Sequence, residues 1–174
     1  MDLKRILLIT LMVVATVEYL TISATYPTSS NATTTAFAQP QQKFVAKLTG
    51  QDEVPAKNTR AAGTFELQLS ADGRVSNYVL NLTNINNVTL VHIHQGAEGT
   101  NGPIVLTLYK SANPKAQING TFSQGKIFSN QFEGPLAGKY ISDLMKLIDE
   151  GNIYINVHTK QNPQGEIRGQ LTHS

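Results

Sequence analysis

Cysteine is absent from this 174-residue chain. That absence excludes disulfides, thiolate metal sites, cysteine nucleophiles and a lipid-modified cysteine anchor together. Charge is also scarce: 15% of residues are charged, the net charge is +2, and no basic block suggests a nucleic-acid partner. The apolar run from Ile6 to Val17 has 12 residues, short of the roughly 20 that a membrane-spanning helix needs. No Gly-x-Ser-x-Gly element offers a hydrolase nucleophile. Gly96, Gly99 and Gly102 are not followed by the Lys-Ser/Thr of a phosphate loop, and positive-φ turns account for them better. A long polar spacer is missing from the second half of the chain, which predicts one domain large enough for a real core.

The N-terminal stretch reads as a targeting signal. Lys4 and Arg5 precede the apolar run, Glu18 ends it, and Ala36-Phe37-Ala38 is an A-x-A cleavage motif. Residues 1–38 are therefore expected to be a signal peptide, with cleavage near Ala24 as a second position and an uncleaved anchor as the alternative. Thr25 to Gln42 is rich in Ser, Thr, Asn, Gln and Pro. Such a segment cannot bury enough apolar surface to fold, so it reads as a stalk whose last residues, 39–42, link to the domain. The expected location is secreted or at the extracytoplasmic cell surface, with membrane contact only through an uncleaved leader. Asn31, Asn81, Asn87 and Asn119 each begin an Asn-x-Ser/Thr sequon and are candidate glycan acceptors in an exported protein.

Beyond the stalk the pattern is that of strands. Phe44, Ala46 and Leu48 alternate with Val45, Lys47 and Thr49, and Phe65, Leu67 and Leu69 alternate with Glu66, Gln68 and Ser70. Asp72-Gly73 predicts a hairpin, with Tyr78, Leu80 and Leu82 on the return strand and a polar loop over Asn84 to Asn87. Further strands are expected over Val88 to His94, around Ile104, Leu106 and Leu108, and on either side of a turn at Gln124-Gly125. Ile141, Leu144, Met145 and Ile148 form a helical stripe, with Ser142 expected as N-cap and Gly151 as the C′ residue. Ile153 to His158 and Glu166 to Leu171 complete nine strands. With one short helix, this reads as an all-β sandwich or barrel.

Three of the four histidines fall in two of these strands. His92 and His94 are two residues apart and so point the same way, about 6.6 Å apart along the strand. His158 lies opposite the apolar face made by Ile153, Ile155 and Val157. If the two strands are neighbours, three imidazoles share one surface. Neutral imidazole ligates copper or zinc, and a three-histidine site leaves an open position. Glu98 or His173 could add a fourth ligand. The structural alternative is that these histidines hydrogen-bond loop backbone and pin Gln95 to Pro103. Glu53, Glu166 and Arg168 form a second set. Paired carboxylates can do acid–base work, but with no substrate pocket in view the expected role is an ion pair of Arg168 with Glu53 or Glu166, tying the first loop to the last strand.

Several segments match one family in order and spacing. Leu48-Thr-Gly-Gln-Asp-Glu-Val-Pro55, Leu69-Ser-Ala-Asp-Gly73, Val91-His-Ile-His-Gln-Gly96, Asn101-Gly-Pro103, Tyr154-Ile-Asn-Val-His-Thr159 and Pro163-Gln-Gly-Glu-Ile-Arg-Gly-Gln170 resemble the CHRD domain, named for chordin and found also in secreted bacterial and archaeal proteins. The resemblance covers residues 43–171 and suggests a single-domain secreted prokaryotic member. It implies an immunoglobulin-like, Greek-key β-barrel in an extracellular setting, and no established reaction. A weaker likeness is to copper/zinc superoxide dismutase, through the His-x-His strand. The chain departs from that pattern: it lacks a glycine-flanked histidine before His92, a bridging histidine and a cysteine pair.

Two functional readings follow. One is a non-catalytic extracellular or cell-surface module that binds an envelope component or another extracellular protein. The other is a copper- or zinc-binding protein that uses His92, His94 and His158, with redox activity as a distant extension.

Overall fold

A computed structural model of the chain describes residues 41–114 and 116–174. The leader, most of the stalk and Asn31 lie outside the described residues. Among the described residues nine strands are present: β1 (Lys43–Thr49), β2 (Ala62–Leu69), β3 (Val75–Ile85), β4 (Val88–Gln95), β5 (Ile104–Lys110), β6 (Ile118–Phe128), β7 (Ile153–Thr159), β8 (Ile167–Gln170) and β9 (Thr172–His173). One helix, α1 (Ile141–Asp149), precedes β7. The strands form a single antiparallel sheet in the order β5-β4-β7-β8-β1-β2-β3-β6, with β9 added to β1. The sheet curls into a nearly closed barrel. Its two end strands, β5 and β6, meet through side chains: the Tyr109 and Phe122 rings touch edge to face, centroids 4.7 Å apart.

Alternation drives this architecture. Phe44, Ala46 and Leu48 of β1, Phe65 and Leu67 of β2, and Tyr78, Leu80 and Leu82 of β3 are all buried, while most of their sequence neighbours face water. Each such side chain stabilises the fold by about 1.5–3 kcal/mol relative to exposure. Ser70 to Arg74 make the predicted hairpin, and Gly73 supplies the positive φ of 69°. Among the described residues no helix is long and apolar enough to cross a membrane.

Four local expectations need correction. Of the three loop glycines expected in positive-φ turns, Gly96, Gly99 and Gly102, only Gly99 adopts such a φ, of 73°. The predicted turn at Gln124-Gly125 is the interior of β6, which runs unbroken beside β3. Gly125 sits opposite Tyr78, and a Cβ there would stand 3.2 Å from the Tyr78 ring. The glycine makes room for an aromatic neighbour rather than for a chain reversal. The N-cap of α1 is Tyr140, not Ser142: the Asp143 carboxylate accepts the Tyr140 N–H at 2.8 Å. A carboxylate in the first turn also suits the helix dipole. Finally, the polar loop expected over Asn84 to Asn87 is shorter than predicted, because β3 continues to Ile85 and β4 begins at Val88. Asn84 and Asn87 absorb the bend with φ of 53° and 54°, a conformation that asparagine tolerates better than most residues.

The predicted stripe Ile141, Leu144, Met145 and Ile148 is the buried face of α1 and joins the barrel core. Gly151 follows with φ 70°, in the C′ role. One region breaks the one-face-in pattern. All seven residues of β7 are buried, as are four consecutive residues of β4, Val91 to His94. Contacts from the loops after β1, β4 and β7 explain this. Glu53, Gly102 and Pro163 each hydrogen-bond to residues on the outer face of β4 and β7. The fold thus carries a second, polar layer, and that layer contains the histidines.

Candidate metal centre

The register of β4 against β7 assembles the cluster. Val91 and Ile93 are fixed in the core, so His92 and His94 must face outward. His92 pairs with Asn156, His94 with Tyr154, and Leu90 with His158. His158 is thus the diagonal neighbour of His92, a position within reach of a long side chain. The ring centroids lie 5.5 Å (His92–His94), 4.9 Å (His92–His158) and 6.3 Å (His94–His158) apart. One potential ligand nitrogen from each ring lies within 4.8 Å of the other two. The imidazoles are 6%, 9% and 7% exposed, respectively.

Backbone carbonyls determine which nitrogen each ring offers. His94 Nδ1–H donates to the Gly102 carbonyl at 2.9 Å, and His158 Nδ1–H donates to the Pro163 carbonyl at 3.0 Å. A carbonyl can only accept, so both protons sit on Nδ1 and both lone pairs on Nε2. His158 Nε2 faces His92 Nδ1 at 3.1 Å. His94 Nε2 is buried with no hydrogen-bonding partner. A buried, unpaired acceptor is uncommon and calls for an occupant. Moving the His92 proton to its Nε2 would turn its Nδ1 into a third donor beside the other two.

Burial depresses the basicity of all three rings. His92 is pushed down to about 4, first by burial and then by the neighbouring His158 and His94. His94 is lowered by burial, against the opposing effect of its bond to Gly102, and His158 is lowered by burial against its bond to Pro163. Near neutral pH the cluster therefore presents neutral imidazoles, the form that ligates metal. In metal centres a ligating histidine usually donates its other ring N–H to a carbonyl or carboxylate in this way, which fixes its tautomer and orientation.

The supporting residues extend outward. Tyr154 lies flat on His94, and its hydroxyl accepts the Gly102 N–H at 3.1 Å. Gly102 has no room for a side chain, since a Cβ would overlap the Gln95 carbonyl. Arg168 places its guanidinium 4.3 Å from the Tyr154 ring centroid, and donates to the Thr100 carbonyl and to Asn101 Oδ1, each at 2.7 Å. Loop 96–103 is thus clamped from the histidine, tyrosine and arginine sides.

Of the second predicted set, Glu53 and Arg168 lie together and Glu166 lies apart. Arg168 Nε is 3.7 Å from Glu53 Oε2, too long for a hydrogen bond, with both side chains 4% exposed. The Glu53 carboxylate accepts a hydrogen bond from Asn156 Nδ2 at 2.5 Å. Burial pushes Glu53 up to about 7 despite Arg168 and Asn156. That direction agrees with the geometry, because Arg168 gives its terminal nitrogens to loop 96–103. Glu166 instead accepts from the Thr59 and Thr159 hydroxyls at 2.9 and 2.6 Å. A cavity of about 520 Å³ beside this group is lined by Glu53, Glu98, Arg168 and Gln170, among others.

Glu98 lines that cavity and is not a member of the histidine cluster. His173 lies on β9, where it pairs with Asp149 at 2.8 Å and packs against Phe44. Asn81 and Asn119 are engaged through their side chains, Asn81 with Thr121 at 2.8 Å and Asn119 with the Asn84 N–H at 2.9 Å. Asn87 bends the β3–β4 link. The expected histidine bond to loop backbone between Gln95 and Pro103 is the one His94 makes to Gly102, whereas sequence reasoning missed Tyr154, Asn156 and Pro163 as members of the site. The signal was present for the first two: Tyr154 and Asn156 share the strand face of His158.

A family model for the CHRD domain matches residues 44–171. The chain belongs to the CHRD domain family. No curated protein matches the sequence. The family match places this CHRD domain among binding or structural modules. The match spans β1 to β8 and contains the whole histidine cluster, Glu53 and Arg168.

Proposed function

We propose that this CHRD protein is an exported, non-catalytic module that binds a copper or zinc ion through His92, His94 and His158. The unpaired, buried Nε2 of His94 carries this reading. The cluster brings one nitrogen of each ring within 4.8 Å of the other two, and a bound ion would satisfy His94 Nε2. Zinc and copper form bonds of about 2.0–2.1 Å to imidazole nitrogen. Ligand nitrogens on one ion then sit about 3.3–3.5 Å apart. The three nitrogens, which lie within 4.8 Å of one another, would draw together by about 1.3 Å to share one ion. A bound ion would act here as a cargo or a structural clamp. The domain itself contributes orientation, through the Gly102 and Pro163 carbonyls, and shielding from water.

Export rests on the leader motif of residues 1–38, with the domain beginning near residue 43. The connections from β3 to β4 and from β5 to β6, which pass between the two ends of the sheet order, support an immunoglobulin-like, Greek-key description of the barrel. A second reading keeps the module and makes the histidines structural, since the same bonds from His94 and His158 pin two loops. In that case the partner is an extracellular protein or an envelope component.

Titration of the full chain with copper and zinc, on the wild type and on His94→Ala, separates the two. Stoichiometric binding by the wild type that is lost in His94→Ala supports the metal reading. Equal retention of metal by both proteins, or by neither, leaves the structural module. N-terminal sequencing of the native protein tests export: a chain starting at Met1 in a cytoplasmic fraction rejects it.

A further inference from the structure

We infer that the histidine cluster is selective for a monovalent ion, Cu(I), over divalent zinc and copper. This rests on the metal-binding reading above and specifies the ion.

Charge is the first argument. The donor set is three neutral imidazoles, and among the described residues no carboxylate belongs to the cluster. The charges that reach the rings do not make up for this. Glu133 acts on His92 but is opposed there by Lys110, and its carboxylate also accepts the Thr107 N–H at 3.0 Å. Arg168 adds positive charge on the side of His94. Glu53, the nearest acid to Arg168, is bound to Asn156 rather than to a histidine. A cation entering this layer therefore meets no carboxylate ligand to offset its own charge. The cost of taking an ion from water into a buried site grows with the square of its charge, so a divalent ion is penalised about four times as heavily as a monovalent one.

Coordination number is the second argument. Zinc is almost always four-coordinate and fills a vacant position with water when the protein offers three ligands. Here the three histidines are nearly inaccessible, and the face that carries them is covered by loop residues Gly102 and Pro163. The two acids nearest in sequence terms to a fourth position are elsewhere: Glu98 faces the Glu53 cavity and Glu166 is held by threonines. Three-coordinate nitrogen ligation is a stable arrangement for Cu(I), whose filled d shell imposes no square-planar preference, whereas Cu(II) favours a tetragonal site.

The test uses the full chain and three probes. Cu(I), held reduced under anaerobic conditions, is titrated against a chromogenic Cu(I) chelator, and Zn(II) and Cu(II) are titrated against chelators of their own. The expected result is a Cu(I) affinity at least about tenfold above that for Zn(II), with copper bound more tightly in the reduced than in the oxidised state. Arg168→Gln should narrow the Cu(I)-to-Zn(II) ratio. Because Arg168 is buried, Lys110→Glu serves as an exposed charge reversal that should move the ratio in the same direction. Zn(II) or Cu(II) binding as tightly as Cu(I), or a ratio indifferent to both variants, overturns the selectivity while leaving the metal site in place. Failure of all three ions to bind overturns the metal reading itself, and the inference falls with it.

Discussion

Tyr154 lies flat against His94, with ring centroids 4.9 Å apart and planes 6° from parallel. The tyrosine also holds the Gly102 N–H, while the Gly102 carbonyl holds the His94 ring. One loop residue is therefore gripped from both ends by two stacked side chains. Tyr154→Phe keeps the stack and removes the grip on the N–H. The buried donor left behind should cost about 1–3 kcal/mol, and metal affinity should fall by about tenfold as the Gly102 carbonyl loosens its hold on the His94 ring. Thermal melts with and without metal measure both effects. Unchanged affinity would show that Gly102 is held by other contacts.

Arg168→Ala removes a buried cation that serves two loops. It strands the Thr100 carbonyl and Asn101 Oδ1, and leaves Glu53 without its counter-charge. The expected loss is about 3–5 kcal/mol where Glu53 is ionised. Burial already raises Glu53 to about 7, so below that pH the carboxyl takes a proton and the loss should shrink. Denaturant titrations at pH 8 and pH 6 compare the two. An equal loss at both values would mean that Glu53 contributes no charge to the pair.

Acid should weaken the metal-free domain through its histidines. His92 has an ordinary value of 6.5 and is held at about 4 in the fold. Between those values the unfolded chain binds a proton that the folded one refuses. The stabilisation is present above pH 6.5 and is lost as the pH falls towards 4, by at most about 3 kcal/mol. Glu53 works the other way. Its value is raised from 4.5 to about 7, so its contribution is full below pH 4.5 and is lost as the pH rises through 7. Unfolding free energies measured across pH 4 to 8 should fall towards acid in the wild type and fall less in His92→Gln. In Glu53→Gln the opposing contribution is removed, and the fall should steepen. Identical slopes in all three proteins would contradict the assignment.

Metal binding should appear as stability. An ion that binds only the folded chain adds RT ln(1 + [L]/Kd), about 2.7 kcal/mol at a hundredfold excess over Kd. The melting temperature should rise with copper and return to its starting value with a chelator. In His158→Ala neither change should occur. A rise of the same size in that variant would place the ion elsewhere.

The alternation of Phe44, Ala46 and Leu48, the Asp72-Gly73 hairpin and the stripe of α1 could be read from the sequence because each reports a local rule. The shared face of His92 and His94 follows from the same period of two. What the sequence hid is set by neighbours distant along the chain. Gly125 resembles a turn residue until Tyr78 of β3 is seen opposite it. Ser142 resembles a cap, but the helix starts earlier, where Asp143 reaches back to Tyr140. Nothing in the pattern of Tyr154, Asn156 and His158 shows that loops cover the polar face of β7 and bury the whole strand. Those loops approach through single contacts, such as Gly102 on His94 and Pro163 on His158, which leave no periodicity in the sequence.

The seam between β5 and β6 gives this barrel a direction in which to open. Every other junction in the sheet order is made by strand pairing, whereas β5 and β6 meet through Tyr109 and Phe122, with the Glu133 N–H donating along β5 to the Val105 carbonyl at 2.9 Å and the Glu133 carboxylate accepting the Thr107 N–H at 3.0 Å. Such a ring pair contributes about 0.5–1.5 kcal/mol beyond its burial, far less than a row of interstrand hydrogen bonds. The clasp lies beside the strand that carries His92 and His94, since β5 pairs only with β4. Peeling β5 outward would free the edge of β4, the strand that carries His92 and His94, without unfolding β7 or the helix. In deuterium-exchange terms, the amides of β5 should exchange ahead of those of β7, and Phe122→Ala should speed the first while leaving the second unchanged. Release of the clasp would then set the rate at which an ion enters or leaves, separately from how tightly it is held.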